Sequence, residues 1–430
     1  MAPSKTNLKR KTSITPSKTP TKKVRKLILS EITETTTFET ENKEPCNVIV
    51  IGDGDTGQLG LGPDVTEKAR PAVVANLKDV VEVAVGGMHT VVLTKDNKVL
   101  TFGCNDEGAL GRDTSVEGSE TSPAPVDIPA KVVQISAGDS HTAAITDEGL
   151  LYVWGTFRDT HGSMGLYQKE IEKFPILIKS SVKFSKVASG AHHLVLLGVN
   201  GNVYTSGCGE QGQLGRLSER AAHRYSRHGL GRLLTPTLVN MPFSVRNKIN
   251  IVNIWTGSYN TFVQNTNGDV YVFGLNNHNQ LGIDNSSEDN NVYFHPTLSK
   301  TLSGKNWVKI SGGEHHTLAL DDTGTVYALG RKEYGRLGLG ENCSDAVKPT
   351  EVKIGENEKC SDISCGSFTS FAITKDGKLH SWGMSSNMLG HGDSGDDVFV
   401  PTLVKGKQLE DKTVLKVAGG GQHTVALIKA

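Results

Sequence analysis

The chain has 430 residues with 46 basic and 46 acidic side chains, so its formal net charge is zero. Its 48 glycines and an aromatic share of only 6 % favour many turns and short strands. No apolar run approaches a membrane span, and the N-terminus lacks the apolar stretch of a secretory signal, so neither a membrane partner nor export is expected.

The charge is unevenly spread. Residues 1–30 hold seven Lys, two Arg and no acid, leaving 37 basic and 46 acidic residues for the rest. A basic tail on an acidic body suggests two different partners. Residues 1–44 are rich in Ser, Thr, Pro and Lys and cannot bury enough surface to offset the entropy of ordering, so they are expected to be disordered. Two clusters stand out, Lys9-Arg10-Lys11 and Lys22-Lys23-Val24-Arg25-Lys26. Such runs suit nuclear import through an importin, or a grip on DNA phosphates. Thr15-Pro16 and Thr19-Pro20 look like proline-directed phosphorylation sites, where phosphate would cancel charge beside the second cluster.

The next stretch, VIVIGDGDTGQLGLG (48–62), contains a literal G-x-G-x-x-G after an apolar run. A dinucleotide fold needs a helix after the third Gly and an acid at the end of the next strand. QLGLGPD follows instead, too rich in Gly and Pro for a helix, and the same turn recurs as GCNDEGALG, GCGEQGQLG and GRKEYGRLG. No phosphate loop of the G-x-x-x-x-G-K-[ST] type occurs, and no cofactor is expected. The six cysteines, none in C-x-x-C spacing, are expected to be free thiols.

From residue 80 onward the chain repeats. A short apolar strand, as in VVEVAVG or VVQISAG, precedes each unit. His89, His141, His193, Asn260, His316 and Thr369 are then each followed fourteen residues later by Gly103, Gly155, Gly207, Gly274, Gly330 and Gly383. Alternating apolar residues flank two-residue turns such as Glu148-Gly149 and Asn200-Gly201, so each unit predicts a hairpin. A last unit begins at VLKVAGGGQHTVALIKA and stops at Ala430, lacking its outer strand, which NVIVIG (47–52) resembles. The expectation is a seven-bladed β-propeller of four-stranded blades over residues 45–430, an all-β domain. Its ring closes by pairing of the N-terminal strand with the C-terminal blade. A linear stack of repeats would leave that complementarity unexplained.

Asp139-Ser140-His141 spells the residues of a hydrolase triad, but three neighbours cannot converge on one another. His141 shares its repeat position with His89, His193, His316 and His423, which suits a structural hydrogen bonder; the ring spacing is too wide for one metal ion, and none is expected. Just before that position the units differ: Gly87-Met88, Asp139-Ser140, Ala191-His192, Ser258-Tyr259, Glu314-His315, Ser367-Phe368 and Gly421-Gln422. Variable side chains on a regular scaffold are where such a protein carries function. Acids, His and aromatics there suit a protein partner with a basic patch.

Two irregularities complete the pattern. After Gly103, Gly207 and Gly330, glycines fall five and eight positions on; after Gly155 they fall at seven and ten, giving TFRDTHGSMG a small projection from Phe157 to Met164. The unit between Gly207 and Gly274 spans 67 residues and contains RLSERAAHRYSRHGLGRLL, with Arg216, Arg220, Arg224, Arg227 and Arg232 against the lone acid Glu219. Five arginines beside Tyr225 argue for an anionic partner.

These residues carry a resemblance. FGCNDEGALGRDTSVEGSE, AGDSHTAA, TFRD, GCGEQGQLGR, EYGRLGLG and AGGGQHT resemble the regulator of chromosome condensation family, from about residue 45 to the end. The resemblance implies a nuclear, chromatin-bound guanine-nucleotide exchange factor for the small GTPase Ran, performing no bond chemistry. It places Asp139, His315 and position 192 at the exchange step; the family commonly has Asp where this chain has His192, a weaker anionic competitor when neutral. It places His89, Arg216 and His423 in docking and makes Phe157, Arg158, Asp159, His161 and Met164 a wedge against the GTPase. It also implies a nucleosome partner: the tail on DNA, and Arg220, Arg224 or Arg227 on the histone acidic patch. The family's N-terminal X-Pro-Lys methylation signal is altered here, with Ser4 after Pro3. The other readings are a propeller module without exchange activity, such as a ubiquitin-ligase subunit or protease-inhibitor-like scaffold, and the plant ultraviolet-B photoreceptor. The photoreceptor needs a Trp cluster on one face, whereas Trp154, Trp255, Trp307 and Trp382 sit at strand positions expected to face the core.

Overall fold

The computed structural model describes residues 44–227, 229–243, 250–285, 291–392 and 395–430. The tail residues Lys9, Arg10, Lys11, Lys22, Lys23, Arg25 and Lys26 lie outside that set, as does the expectation of disorder there.

The fourteen-residue spacing becomes a hairpin register. His89 stands opposite Gly103, His141 opposite Gly155, His193 opposite Gly207, Asn260 opposite Gly274, His316 opposite Gly330 and Thr369 opposite Gly383. The glycine is required at that place. At Gly103 φ is 116°, and a Cβ would lie 2.5 Å from the Met88 carbonyl oxygen.

These hairpins build antiparallel sheets of four strands, the architecture of a β-propeller. In one of them the order is Phe184–Ser189, His193–Gly198, Val203–Gly207 and Thr237–Leu238. Among the described residues, five sheets have four strands. An eight-stranded sheet is two such groups joined through one pair, Cys46 opposite Val80. One group contains the strand Cys46–Asp53, paired in seven-residue register with His423–Lys429, and Gly52 stands opposite His423 as the other glycines stand opposite their histidines. The N-terminal strand therefore supplies what the last repeat lacks.

The second strand of each repeat is buried along its length, as in His141–Thr146 and His316–Asp321, with only Lys429 exposed at the end of His423–Lys429. Apolar side chains of one sheet pack on those of the next: Phe371, Ile373 and Leu379 meet Ile49, Ile51, Ala426 and Ile428. The indole N–H groups of Trp154 and Trp382 donate to the carbonyls of Ala109 (2.8 Å) and Arg336 (3.1 Å). Trp255 is partly buried: it packs against the core cluster of Phe262 and Trp307 and also lines the cavity between the innermost strands, a space of about 960 Å³. All six cysteines are unpaired.

Candidate protein-docking face

Because each His stands opposite its Gly, the loop before the His and the loop after the Gly emerge on the same side of the sheets. The loops before these histidines, and before Asn260 and Thr369 at the same repeat position, are linked edge to edge by backbone bonds. Gly87 N–H donates to Asp139 (3.3 Å), Asp139 to Ala191 (2.8 Å), Ala191 to Ser258 (3.0 Å), Ser258 to Gly313 (3.2 Å), Glu314 to Ser367 (3.2 Å) and Gly421 to Gly86 (3.2 Å). The variable side chains are thus mounted on a rigid rim.

Beneath the rim lie the repeated histidines. His89 Nε2 reaches Thr142 Oγ1 (2.9 Å), His193 reaches Thr261 (3.1 Å), His316 reaches Ser370 (2.9 Å) and His423 reaches Thr90 (2.6 Å), each in the following repeat. Those hydroxyls donate to the carbonyls of Ala109, Gln213, Arg336 and Gln58, so each imidazole must be the donor, protonated on Nε2. Burial pushes His89 down to about 4 and His193, His316 and His423 down to about 3. These side chains brace one sheet against the next. His89 and His423, which the resemblance places in docking, are turned away from the rim and fully enclosed. Arg216 is held likewise, bonded to Thr205 O (3.3 Å) and Arg232 O (2.9 Å), and Arg112 grips its own loop in the same way.

On the rim itself the carboxylate of Asp139 is 45 % exposed, with His192 Nε2 3.9 Å away. Burial lowers the His192 pKa, against the opposing pull of Asp139. His315 is brought down to about 4 by burial, then by the neighbouring His278, Arg336 and Arg331. Both imidazoles are therefore neutral at pH 7. Glu314 is pushed up by burial and by Asp139, with Arg336 opposing. The rim thus carries acidic and neutral groups close enough to feel one another.

Beside Asp139 rises the projection. It is a two-stranded hairpin, Phe157–Asp159 against Gly162–Gly165, rooted by Thr156 N–H on the Ser140 carbonyl (2.9 Å). Alternation turns its residues in and out. Phe157 and Met164 pack in the core, Phe157 edge-on to His141 at 4.7 Å, so they anchor the hairpin and do not form its surface. Arg158 is ion-paired with Glu107. Asp159 is ion-paired with Arg224, which also donates to Gly162 O (3.1 Å) and Ser163 O (3.3 Å). Thr160 Oγ1 donates to Glu210 (3.0 Å), and the exposed His161 ring meets Tyr225 edge-on at 5.1 Å. The long arginine-rich insert is therefore the hairpin's buttress. Of its nucleosome candidates, Arg224 is spent on Asp159 and only 14 % exposed, while Arg220 and Arg227 remain exposed. Asp159, His161 and Glu210 carry ligand atoms within 4.8 Å of one another, but the Arg224 guanidinium already occupies the Asp159 carboxylate, which suits no metal.

Sequence reasoning missed Glu107 and Glu210, which hold the hairpin, and Arg336. The signal was present for Arg336: the recurring turn has Gln58, Gln213 and Gln280 where this one has Arg.

A propeller whose rim presents non-repeating acids, neutral imidazoles and a buttressed hairpin is a protein-docking scaffold. The chain belongs to the regulator of chromosome condensation family. Residues 47–426 match the RCC1-like domain. The human Regulator of chromosome condensation is 48 % identical, covering 90 % of this chain and 91 % of the relative. The Saccharomyces cerevisiae guanine nucleotide exchange factor SRM1 is 29 % identical over 89 % of this chain and 87 % of its own. The crystal structure of Prp20p from the same yeast, studied with its binding to Gsp1p and histones, superposes with a TM-score of 0.80 at 29 % identity, covering 92 % and 93 % of the two chains.

Proposed function

We propose that this chain is a guanine-nucleotide exchange factor for the GTPase Ran that works on chromatin. Its four-stranded sheets form seven blades, closed into a ring by the Cys46–Asp53 and His423–Lys429 strands. The observation that carries the reading is the exposed Asp139 carboxylate at the root of the Phe157–Gly165 hairpin, in a chain 48 % identical to a regulator of chromosome condensation. An exchange factor breaks no bond. It binds the nucleotide-free GTPase more tightly than the loaded one, and by linkage it weakens nucleotide binding equally. The hairpin presses on the GTPase's nucleotide-binding loop, while Asp139 competes with phosphate and magnesium for that loop's positive groups. Arg158, His161, His192 and His315 complete the contact surface; Phe157, Asp159, Met164, His89, Arg216 and His423 hold it in shape. Arg220 and Arg227 face the nucleosome, the tail grips DNA and is read by an importin, and the protein resides in the nucleus.

The test is release of fluorescent GDP from Ran with and without the chain; no acceleration leaves a docking module without exchange activity. Asp139→Ala is expected to slow release about tenfold or more. Its melting temperature should hold, because an exposed side chain contributes only about 0.5 kcal/mol or less to folding. Parallel loss of stability and rate would assign Asp139 a structural role.

A further inference from the structure

Among the described residues, Arg336 is the one arginine in the group of largest fully enclosed side chains, at 0 % exposure. Its Nε donates to the Glu333 carbonyl (2.8 Å), yet neither Nη has a hydrogen-bond partner among the described residues. A buried cation left unpaired is strongly unfavourable and calls for an acceptor. The nearby acids do not supply one: Glu333 is ion-paired with Arg331, and Glu314 interacts with the guanidinium only through its field.

Two aromatic rings flank the guanidinium. The guanidinium lies 5.2 Å from the Tyr334 ring and 5.1 Å from the Phe368 ring, and the two rings are 6.1 Å apart at 77°. Three rim loops converge here, carrying Glu314-His315, Arg331 to Arg336 and Ser367-Phe368. Tyr334 is 45 % exposed and sits in the left-handed region, φ 61°. In the equivalent turns Thr56, Gln211 and His278 have no positive φ. There the backbone N–H donates to the side-chain oxygen of Gln58, Gln213 or Gln280 at 2.9 Å, an acceptor that arginine cannot provide. Arg336 therefore forgoes the bond made in those three turns, and Tyr334 stands in the left-handed region beside two unused donors, a combination that suits a functional position.

We propose that Arg336 is a carboxylate-binding subsite of the docking face, covered by Tyr334 in the free protein and filled by an acidic side chain of the docked GTPase. A planar carboxylate matches the two parallel Nη donors. This subsite rests on the docking reading above and adds to it a directional basic contact on the side of the rim away from the hairpin, which fixes the partner's orientation.

The experiment compares wild type, Arg336→Gln and Arg336→Lys, with Ran as the probe. GDP release is measured across GTPase concentrations, and binding of nucleotide-free Ran by calorimetry. Gln stands at this place in three other turns, where it accepts the backbone N–H, so Arg336→Gln is expected to melt at the wild-type temperature or above. Its KM and Kd should rise about ten- to a hundredfold with little change in kcat. Arg336→Lys, which keeps charge but not the fork, should be impaired as well. One Asp or Glu substitution on Ran should weaken binding to wild type and not to Arg336→Gln. Unchanged KM and Kd in Arg336→Gln, or a fall in melting temperature matching the loss of activity, would overturn the subsite. Binding by wild type without GDP release would sink the exchange reading instead, and the Kd comparison would still decide the subsite. No binding by wild type would remove both.

Discussion

Five imidazoles, His89, His141, His193, His316 and His423, are at most 1 % exposed and are depressed by burial. In the unfolded chain the same groups titrate near 6.5. The unfolded state therefore takes up protons first as pH falls. The stability these groups support is complete above about pH 6.5 and is lost progressively toward pH 4, at about 1.4 kcal/mol per pH unit for each proton taken up. Melting temperatures across pH 4.5 to 7.5 should fall with a slope equivalent to several protons. His193→Asn should lower that slope by about one proton without unfolding the chain, since Asn260 already stands at the equivalent position. An unchanged slope would show that His193 is not titrating in this way. At this scale the repeat was legible because one spacing recurs, and the buried role of the histidines follows from it. The enclosure of Arg336 was not, because it depends on Phe368, a residue brought beside it by a different repeat.

The hairpin and the insert are separate features in the chain and one element in space. Extra residues after Gly155 announced a projection, and surplus arginines announced an anionic contact. Neither feature says that Arg224 reaches back 65 residues to Asp159, a pairing set by the packing of neighbouring sheets. Strand alternation accounts for Phe157 and Met164 facing inward. The pair Asp159–Arg224 has side chains only 2 % and 14 % exposed. Its members should therefore couple. In a cycle of Asp159→Asn, Arg224→Gln and the double variant, the interaction energy for GDP release is expected at about 0.5–3 kcal/mol. Additive effects would show that the insert does not support the hairpin during exchange. Because the insert also carries Arg220 and Arg227, a nucleosome held there would act on a loop that touches the hairpin directly.

Across the whole molecule, two successive N-terminal segments differ in kind. The basic run in residues 1–30 carries nine positive charges, whereas Cys46–Asp53 is built into a sheet. A chain beginning at residue 31 is expected to keep its melting temperature and its GDP-release rate in solution while losing DNA affinity and its steep salt dependence. A chain beginning at residue 54 should melt at a markedly lower temperature, because Val48, Val50 and Ile51 leave the core and His423–Lys429 loses its seven-residue partner. Equal stability of the two truncations would disprove the structural role of that strand. The complementarity of the two ends was readable from the sequence because one unit stopped where another segment matched its missing strand.

That same pairing orders events during synthesis. Cys46–Asp53 is among the first parts of the sheet to leave the ribosome, and its longest-register partner, His423–Lys429, is among the last. At 5–20 residues per second the wait is on the order of tens of seconds. Throughout it, the nascent VIVI run offers an unclaimed β edge to any neighbouring chain. Chaperone dependence should therefore be concentrated in translation, and a circularly permuted gene that makes these two strands consecutively should fold with less aggregation.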